Sequence, residues 1–266
     1  MQYNSKWQIF SKMILKKLHS IVVIIFSLFS FIALWELVSR LGIYNANLFP
    51  SPIKVLEALF SMIYTRELFI DTYFSLLRII LGFSIGSFLG VVLGVLSGRI
   101  RIFELFFGHI INLLRPIPPI AIVPLAMLWF GIGESSKIFL IAFGVFFPVW
   151  ISAHDGVRDV KKEYVWSAKS LGANDRQILT KIILPYATPF IITGLRVGIG
   201  IAFVVLVASE LAGAYAGIMY KVSISYLVFR ADKMIAGLIW LGIIGYSMDR
   251  LFILSTKKLI MWYKES

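Results

Sequence analysis

Residues 82–98 read GFSIGSFLGVVLGVLSG. The glycines Gly82, Gly86, Gly90, Gly94 and Gly98 fall at every fourth position, so on a helix they form one smooth stripe. Everything between them is apolar or small. In lipid, where burial of apolar surface drives no helix pairing, such stripes let backbones approach closely. Five in register imply tight helix packing, either within one bundle or across a dimer interface. The stretch also contains GFSIG, a formal match to a G-x-S-x-G nucleophile elbow. That motif needs a strand–turn–helix setting. Ser84 sits instead inside an apolar helical run, with no acid–histidine partners in prospect.

The chain around this stretch is of the same kind. Of its 266 residues, 59% are hydrophobic and only 15% charged, and mean hydropathy is +0.87. Soluble domains run at about 45–50% apolar, so the composition is that of an all-α integral membrane protein. Cysteine is absent, which excludes disulfides, thiolate metal sites and cysteine nucleophiles.

A membrane-crossing helix needs about 20 apolar residues. Runs of this kind lie at 20–38, 72–97, 102–130, 138–153, 189–210 and 235–254, giving six expected spans. The first follows Lys6, Lys12, Lys16 and Lys17. It reads as a retained span, being long for a signal-peptide core and lacking a small-residue cleavage site. The third is interrupted at Arg115-Pro116-Ile117-Pro118-Pro119. The chain then divides into a tail (1–19), a transmembrane domain (20–256) and a second tail (257–266). Between the first two spans, FPSPIKVLEALFSMI has prolines placed to start a helix, with Val55, Leu59 and Met62 on one face. A short helix lying on the outer surface is expected there.

The net charge of +12 does not point to nucleic acid. The cations sit between apolar runs, and no arginine-rich tract or aromatic-basic signature accompanies them. With the N-terminus inside, sixteen Lys and Arg fall in inner segments and seven in outer ones. That asymmetry places both termini in the cytoplasm.

Arg78, Arg115, Arg196, Glu210, Glu36 and His109 fall in or near the spans. Ionisable groups at membrane depth face a bundle interior or a water-filled cavity, unless they snorkel to an interface. Glu36 and Arg78, near predicted span ends, are expected to snorkel. Arg115 and Arg196 are candidates for lining or bracing a polar pathway. Pro116 and Pro118 break the helix beside Arg115, and irregular backbone at this depth is tolerated only where protein or water covers it. Transporters carry such broken helices at their substrate route; a packed kink is the alternative.

One segment is out of character. Residues 163–185, EYVWSAKSLGANDRQILTKIILP, are dense in charge and lie on the positive side. Tyr164, Ala168 and Leu171 share a helical face. Gly172 suits a left-handed helix end. Asn174 and Gln177 fit a capping-box variant. Ile178, Leu179, Ile182 and Ile183 form a second stripe, which Pro185 closes. The shape is helix–glycine–helix, too short to span, and suited to a membrane surface or a partner's groove.

This pattern resembles the cytoplasmic "EAA" loop of binding-protein-dependent ABC importer permeases. The signature runs E-A-A, three residues, G, then I-x-L-P. Here Trp166-Ser167-Ala168 precede Gly172, and Ile182, Leu184 and Pro185 follow, with the family's glycine-to-proline spacing. Trp166 stands where the family usually has glutamate. The likeness extends over roughly 48–256. SLLRIILGFSIGSFLG, LLRPIPPIAIVPLAMLWFGIGESSKI, FFPVWISAHDGVRDV and ITGLRVGIGIAFVVLVASELAGA look like the permeases of nitrate, sulfonate, taurine and bicarbonate uptake.

The resemblance implies a type I importer permease fold in a bacterial plasma membrane. It implies two permease copies, two ABC ATPase subunits and an extracytoplasmic substrate-binding protein. It also implies a coupling loop at about 157–188 seated in an ATPase groove. Contacts would come from Glu163, Trp166, Ser167, Ala168, Leu171 and Gly172, with Asn174, Asp175 and Arg176 at the rim. No phosphate-binding G-x-x-x-x-G-K-[ST] occurs, so no cofactor is expected and ATP would bind the partner. Two other readings compete. A stand-alone secondary transporter would need a coupling-ion carboxylate, for which Glu210 is the candidate. A membrane enzyme would rest on Ser84 or His109.

Overall fold

The computed structural model describes residues 22–23, 26–27, 29–41, 45 and 47–257. The two tails, apart from Lys257, and residues 20–21, 24–25 and 28 of the expected first span lie outside the described residues; the described residues of that span are helical, and the helix continues to Arg40. The ordered elements are α1 (Pro52–Tyr64), α2 (Glu67–Arg99), α3 (Arg101–Leu114), α4 (Pro119–Phe130), α5 (Glu134–Arg158), α6 (Lys162–Ser170), α7 (Asp175–Gly213), α8 (Ile218–Leu227) and α9 (Ala231–Thr256). Among the described residues no strand occurs. The helices α2, α5, α7 and α9 are each long and apolar enough to cross a membrane.

The centre is the pair α2–α5. A Cβ added at Gly82 would stand 2.6 Å from the Ile141 Cβ. At Gly86 it would collide with the Ala142 carbonyl oxygen, and at Gly90 it would lie 2.9 Å from that of Phe146. At Gly94 and Gly98 it would meet the Cβ atoms of Ala153 and Val157, at 2.7 and 2.8 Å. The glycine stripe therefore serves contact within one chain. Backbone lies on backbone, which only a residue without a side chain allows.

The numbering rises in the same direction on both helices, so α2 and α5 are parallel. Two parallel membrane helices require the chain between them to cross back once. That makes α3 and α4 a single crossing, bent by 86° at Arg115–Pro118. Pro119 packs against Gly144 of α5, 3.2 Å from where a Cβ would stand. Proline's missing donor explains why the helix stops there.

On the other side of α5, α7 runs antiparallel. Gly194 sits on Ser152, Gly198 on Val145, and Gly144 on Val205. Ile79, Leu140, Ile141, Val145, Ala202 and Leu206 make the shared core. Helix α9 returns beside α7 and is tied to α2 by Trp240, whose indole N–H donates to the Thr72 hydroxyl at 2.8 Å. Helix α1 starts at Ser51, whose hydroxyl caps it. It lays Val55, Ala58, Leu59 and Met62 against Ala236 of α9.

The second polar-insert helix does not end at Pro185. The chain is helical from Asp175 to Gly213, with a wide π turn at Leu179–Ile183 just before the proline. A π turn shifts the hydrogen-bond register by one residue. That register shift, placed directly before Pro185, lets the helix run through a residue that has no N–H.

Gly86→Ala is expected to destabilise the bundle by about 1–3 kcal/mol, the range for overpacking. The opposing carbonyl cannot move aside. Gly242→Ala should leave stability unchanged, since nothing lies within 4 Å of its Cβ position. Melting temperatures of the detergent-solubilised variants check both.

Candidate functional site

The polar insert folds into an exposed end-cap. In α6, Glu163 lies in the first turn, where a carboxylate opposes the helix dipole favourably. The helix ends at Ser170, and the chain turns away at Gly172, whose φ of 83° is left-handed. The Gly172 N–H donates to the Lys169 carbonyl at 2.9 Å, and the Ala173 N–H to that of Ala168 at 3.0 Å. The next helix opens with a reciprocal capping box: the Gln177 N–H donates to Asn174 Oδ1, and the Asn174 N–H to Gln177 Oε1, both at 2.9 Å.

The inward face of α6 is not Tyr164, Ala168 and Leu171. Val165 and Ala168 pack with Ala173 against the buried Ile178 and Val157. Tyr164 is about half exposed, Trp166 is 62% exposed, and Leu171, just past the last helical turn, is 87% exposed. A period count cannot see that the helix has already ended at Ser170. Ser167, Asp175 and Arg176 are also exposed, and Asp175 accepts from the Arg99 guanidinium at 3.3 Å. The result is a polar helix offering apolar side chains outward, at the opposite end of the bundle from α1.

The end nearer α1 holds a closed ionic knot. Arg78 is fully buried, not snorkelling. Its Nε and one terminal nitrogen donate to both oxygens of Glu134, at 2.5 and 2.7 Å. The other donates to Glu210 Oε1 and to the Ala216 carbonyl, each at 2.7 Å. Glu210 also accepts from the Ser75 hydroxyl at 2.7 Å and the Met219 N–H at 2.9 Å. Asp71 accepts from the Gly217 N–H at 2.9 Å. Gly217 has a φ of 129°, and a Cβ there would strike the Glu210 carboxylate. Each guanidinium nitrogen of Arg78 donates to at least one acceptor, which is what makes buried charge tolerable. The knot joins α2, α5, α7 and α8.

Arg115, Pro116 and Pro118 are exposed at the bend of the α3–α4 crossing. The Arg115 side chain has no ion pair among the described residues. Arg196 is 55% exposed and pairs bidentately with Asp249 of α9, at 2.8 and 3.1 Å. Thus Arg78 and Glu210 are brought together, while Arg115 and Arg196 remain apart from them. Glu36 pairs with Arg40 one turn on, at 2.6 Å. Sequence reasoning missed Asp71, Ser75, Glu134 and Asp249. Opposite charges at matched depths of neighbouring spans were the available signal for Asp249. Among the described residues no cluster of metal-ligating side chains occurs. His109 Nδ1 lies 3.1 Å from the Leu105 carbonyl oxygen, one turn back in its own helix.

Residues 86–260 match the sequence profile of the family described as binding-protein-dependent transport system inner membrane component. The putative aliphatic sulfonates transport permease protein SsuC of Bacillus subtilis is 36% identical, over 87% of this chain and 84% of its own. The taurine transport system permease protein TauC of Escherichia coli is 34% identical, over 88% and 87%. The nitrate import permease protein NrtB of Synechocystis is 32% identical, over 76% of each. Among solved structures, an inward-facing MetNI methionine ABC transporter aligns with a TM-score of 0.57. That alignment covers 75% of this chain and 98% of the other, at 20% identity, and so bears on the fold.

Arg78→Gln should cost about 3–5 kcal/mol of stability, because it strands a buried Glu210. Arg78→Met with Glu210→Met should recover much of that loss. Thermal unfolding of the purified variants reads both.

Proposed function

We propose how this chain works from one premise: it belongs to the family of binding-protein-dependent transport system inner membrane components. It is a permease subunit of an ABC importer with a type I permease fold. We infer that two copies form the pathway and that each docks one ATPase through α6. A substrate-binding protein delivers the cargo at the end that carries α1 and the ionic knot. The subunit itself catalyses nothing; nucleotide hydrolysis belongs to the partner. The cargo is a small oxyanion or polar solute of the sulfonate, taurine or nitrate kind, as the names of the relatives suggest.

The observation that carries the docking role is α6. It presents Tyr164 and Trp166 outward on an otherwise polar helix, with Leu171 outward just past its end. A helix sunk in the hydrocarbon core would not carry Lys161, Lys162, Glu163, Lys169, Asp175 and Arg176 around them. An exposed apolar patch with a polar rim fits a protein groove. The excess of Lys and Arg in this end's segments supports its being cytoplasmic.

A proton- or ion-coupled carrier fits less well. Its one candidate carboxylate, Glu210, already accepts from Arg78, Ser75 and Met219. A carboxylate so bonded is not free to take up and release a coupling ion.

Co-expression with the neighbouring ATPase and binding-protein genes tests the reading. A stoichiometric ATPase complex with ATP-dependent uptake is expected. Ion-driven uptake by the isolated chain would overturn it.

Gly172→Pro should cut ATPase co-purification or coupling by at least about tenfold, because proline fixes φ near −65° and removes the N–H that closes α6. Leu171→Asp should do the same without lowering the melting temperature. Trp166→Glu and Glu163→Gln divide the contact further. If Glu163, one turn before Trp166, supplies the family's carboxylate, only Glu163→Gln weakens ATPase capture.

A further inference from the structure

Arg196 lies within α7, a helix long and apolar enough to cross a membrane, roughly 18 Å along it from Leu184 and roughly 25 Å from Gly213, at about 1.5 Å per residue. Its guanidinium is nevertheless 55% exposed on the flank of the subunit. It borders a pocket of about 480 Å³ between α7 and α9, walled by Thr193, Gly200, Phe203, Gly245 and Asp249. A Cβ added at Gly200 would meet nothing within 4 Å, so the pocket is open on that side. A charged pair on the open flank of a spanning helix is costly against lipid and is accommodated where it faces water or a second subunit.

The pairing geometry is one-sided. Asp249 takes Nε and one terminal nitrogen, the side-on edge of the guanidinium fork. The remaining terminal nitrogen has no protein partner among the described residues. Asp249 is the more covered of the two, at 29% exposed. The carboxylate therefore holds the guanidinium, while the end-on edge of the fork stays available. Arginine has five donors, so it can serve a carboxylate side-on and an oxyanion end-on together.

We propose that Arg196 is an oxyanion-binding site on the transport route, and that Asp249 is its positioning residue and charge moderator. The proposal rests on the permease reading and adds to it a named cargo site. A lone guanidinium in a low-dielectric cleft would trap an anion. A guanidinium already paired is close to neutral overall, and binds weakly enough to release. Transit needs that balance, favourable enough to enter and weak enough to leave. Gly200 and Gly245 leave room beside the fork, and Phe203 supplies an apolar wall for an organic substituent.

The test uses the complex purified with its ATPase in nanodiscs, and ethanesulfonate as probe. Phenylglyoxal should modify Arg196, as read by peptide mass spectrometry, and ethanesulfonate in place of chloride should slow that reaction. Asp249→Asn should lower the half-protecting concentration about tenfold, equivalent to roughly 1.4 kcal/mol of tighter binding, and should slow ATP-dependent uptake at saturating substrate.

The double variant Arg196→Asp/Asp249→Arg separates this from a merely structural pair. The exchange keeps the helix–helix contact and should keep the melting temperature. The arginine is then on the wrong helix, so uptake should fall at least about tenfold, by the usual cost of a misplaced charge contact. Absence of labelling, labelling without protection, or uptake at the wild-type rate in the exchanged variant would each overturn the site. The same preparation reports the premise. If the wild-type chain captures no ATPase, the permease reading fails. If a hydrolysing complex forms but shows no protection, the anion site alone fails.

Discussion

Close contact between α2 and α5 sets the terms for everything else in this bundle. Their backbones meet along five glycines, and the carbonyls of Ala142 and Phe146 occupy the space where side chains would stand. In lipid the energy of such contact comes from dispersion and weak C–H···O interactions, summed over a long dry seam. The seam is parallel, which forces the intervening α3 and α4 to cross the membrane. It also makes α5 a central post, with α2 on one side and α7 on the other.

The same arrangement explains how so many charges can be buried. Arg78 on α2 and Glu134 on α5 are within reach because the glycine seam holds those helices close. Glu210 arrives at the same place because α7 packs antiparallel along α5. Each charge alone would be costly in this setting; together, with Ser75, Met219 and Ala216, they satisfy one another. The knot pins the joint between α7 and α8, so the far end of α7 cannot move independently of α2 and α5.

Helix α7 links the two ends of the molecule. It begins at the Asn174 capping box, beside the proposed ATPase dock, and reaches Glu210 in the knot without a break. Pro185 does not interrupt it, because the π turn before it shifts the hydrogen-bond register. A push on α6 would be felt along one continuous element, past Arg196, to the knot. Coupling of this kind needs no chain of side-chain signals; it needs a stiff helix held at both ends.

Much of this was legible in the chain as a string. Composition and apolar runs dictate helices in a membrane, because lipid allows no unpaired backbone. The four-residue glycine period dictates a close helix contact, and Asn174, Gln177 and Gly172 dictate a turn between two short helices, since those effects are local and carry their own hydrogen bonds. What the string could not decide was pairing in space. The glycine stripe looked equally suited to a second copy, until the register with Ile141, Ala142 and Val157 placed it inside one chain. Arg78 looked like a snorkelling end residue, because its partners lie 56 and 132 positions away. Asp249 drew no notice for the same reason. Long-range charge pairing depends on which helices become neighbours, and only the packed structure decides that.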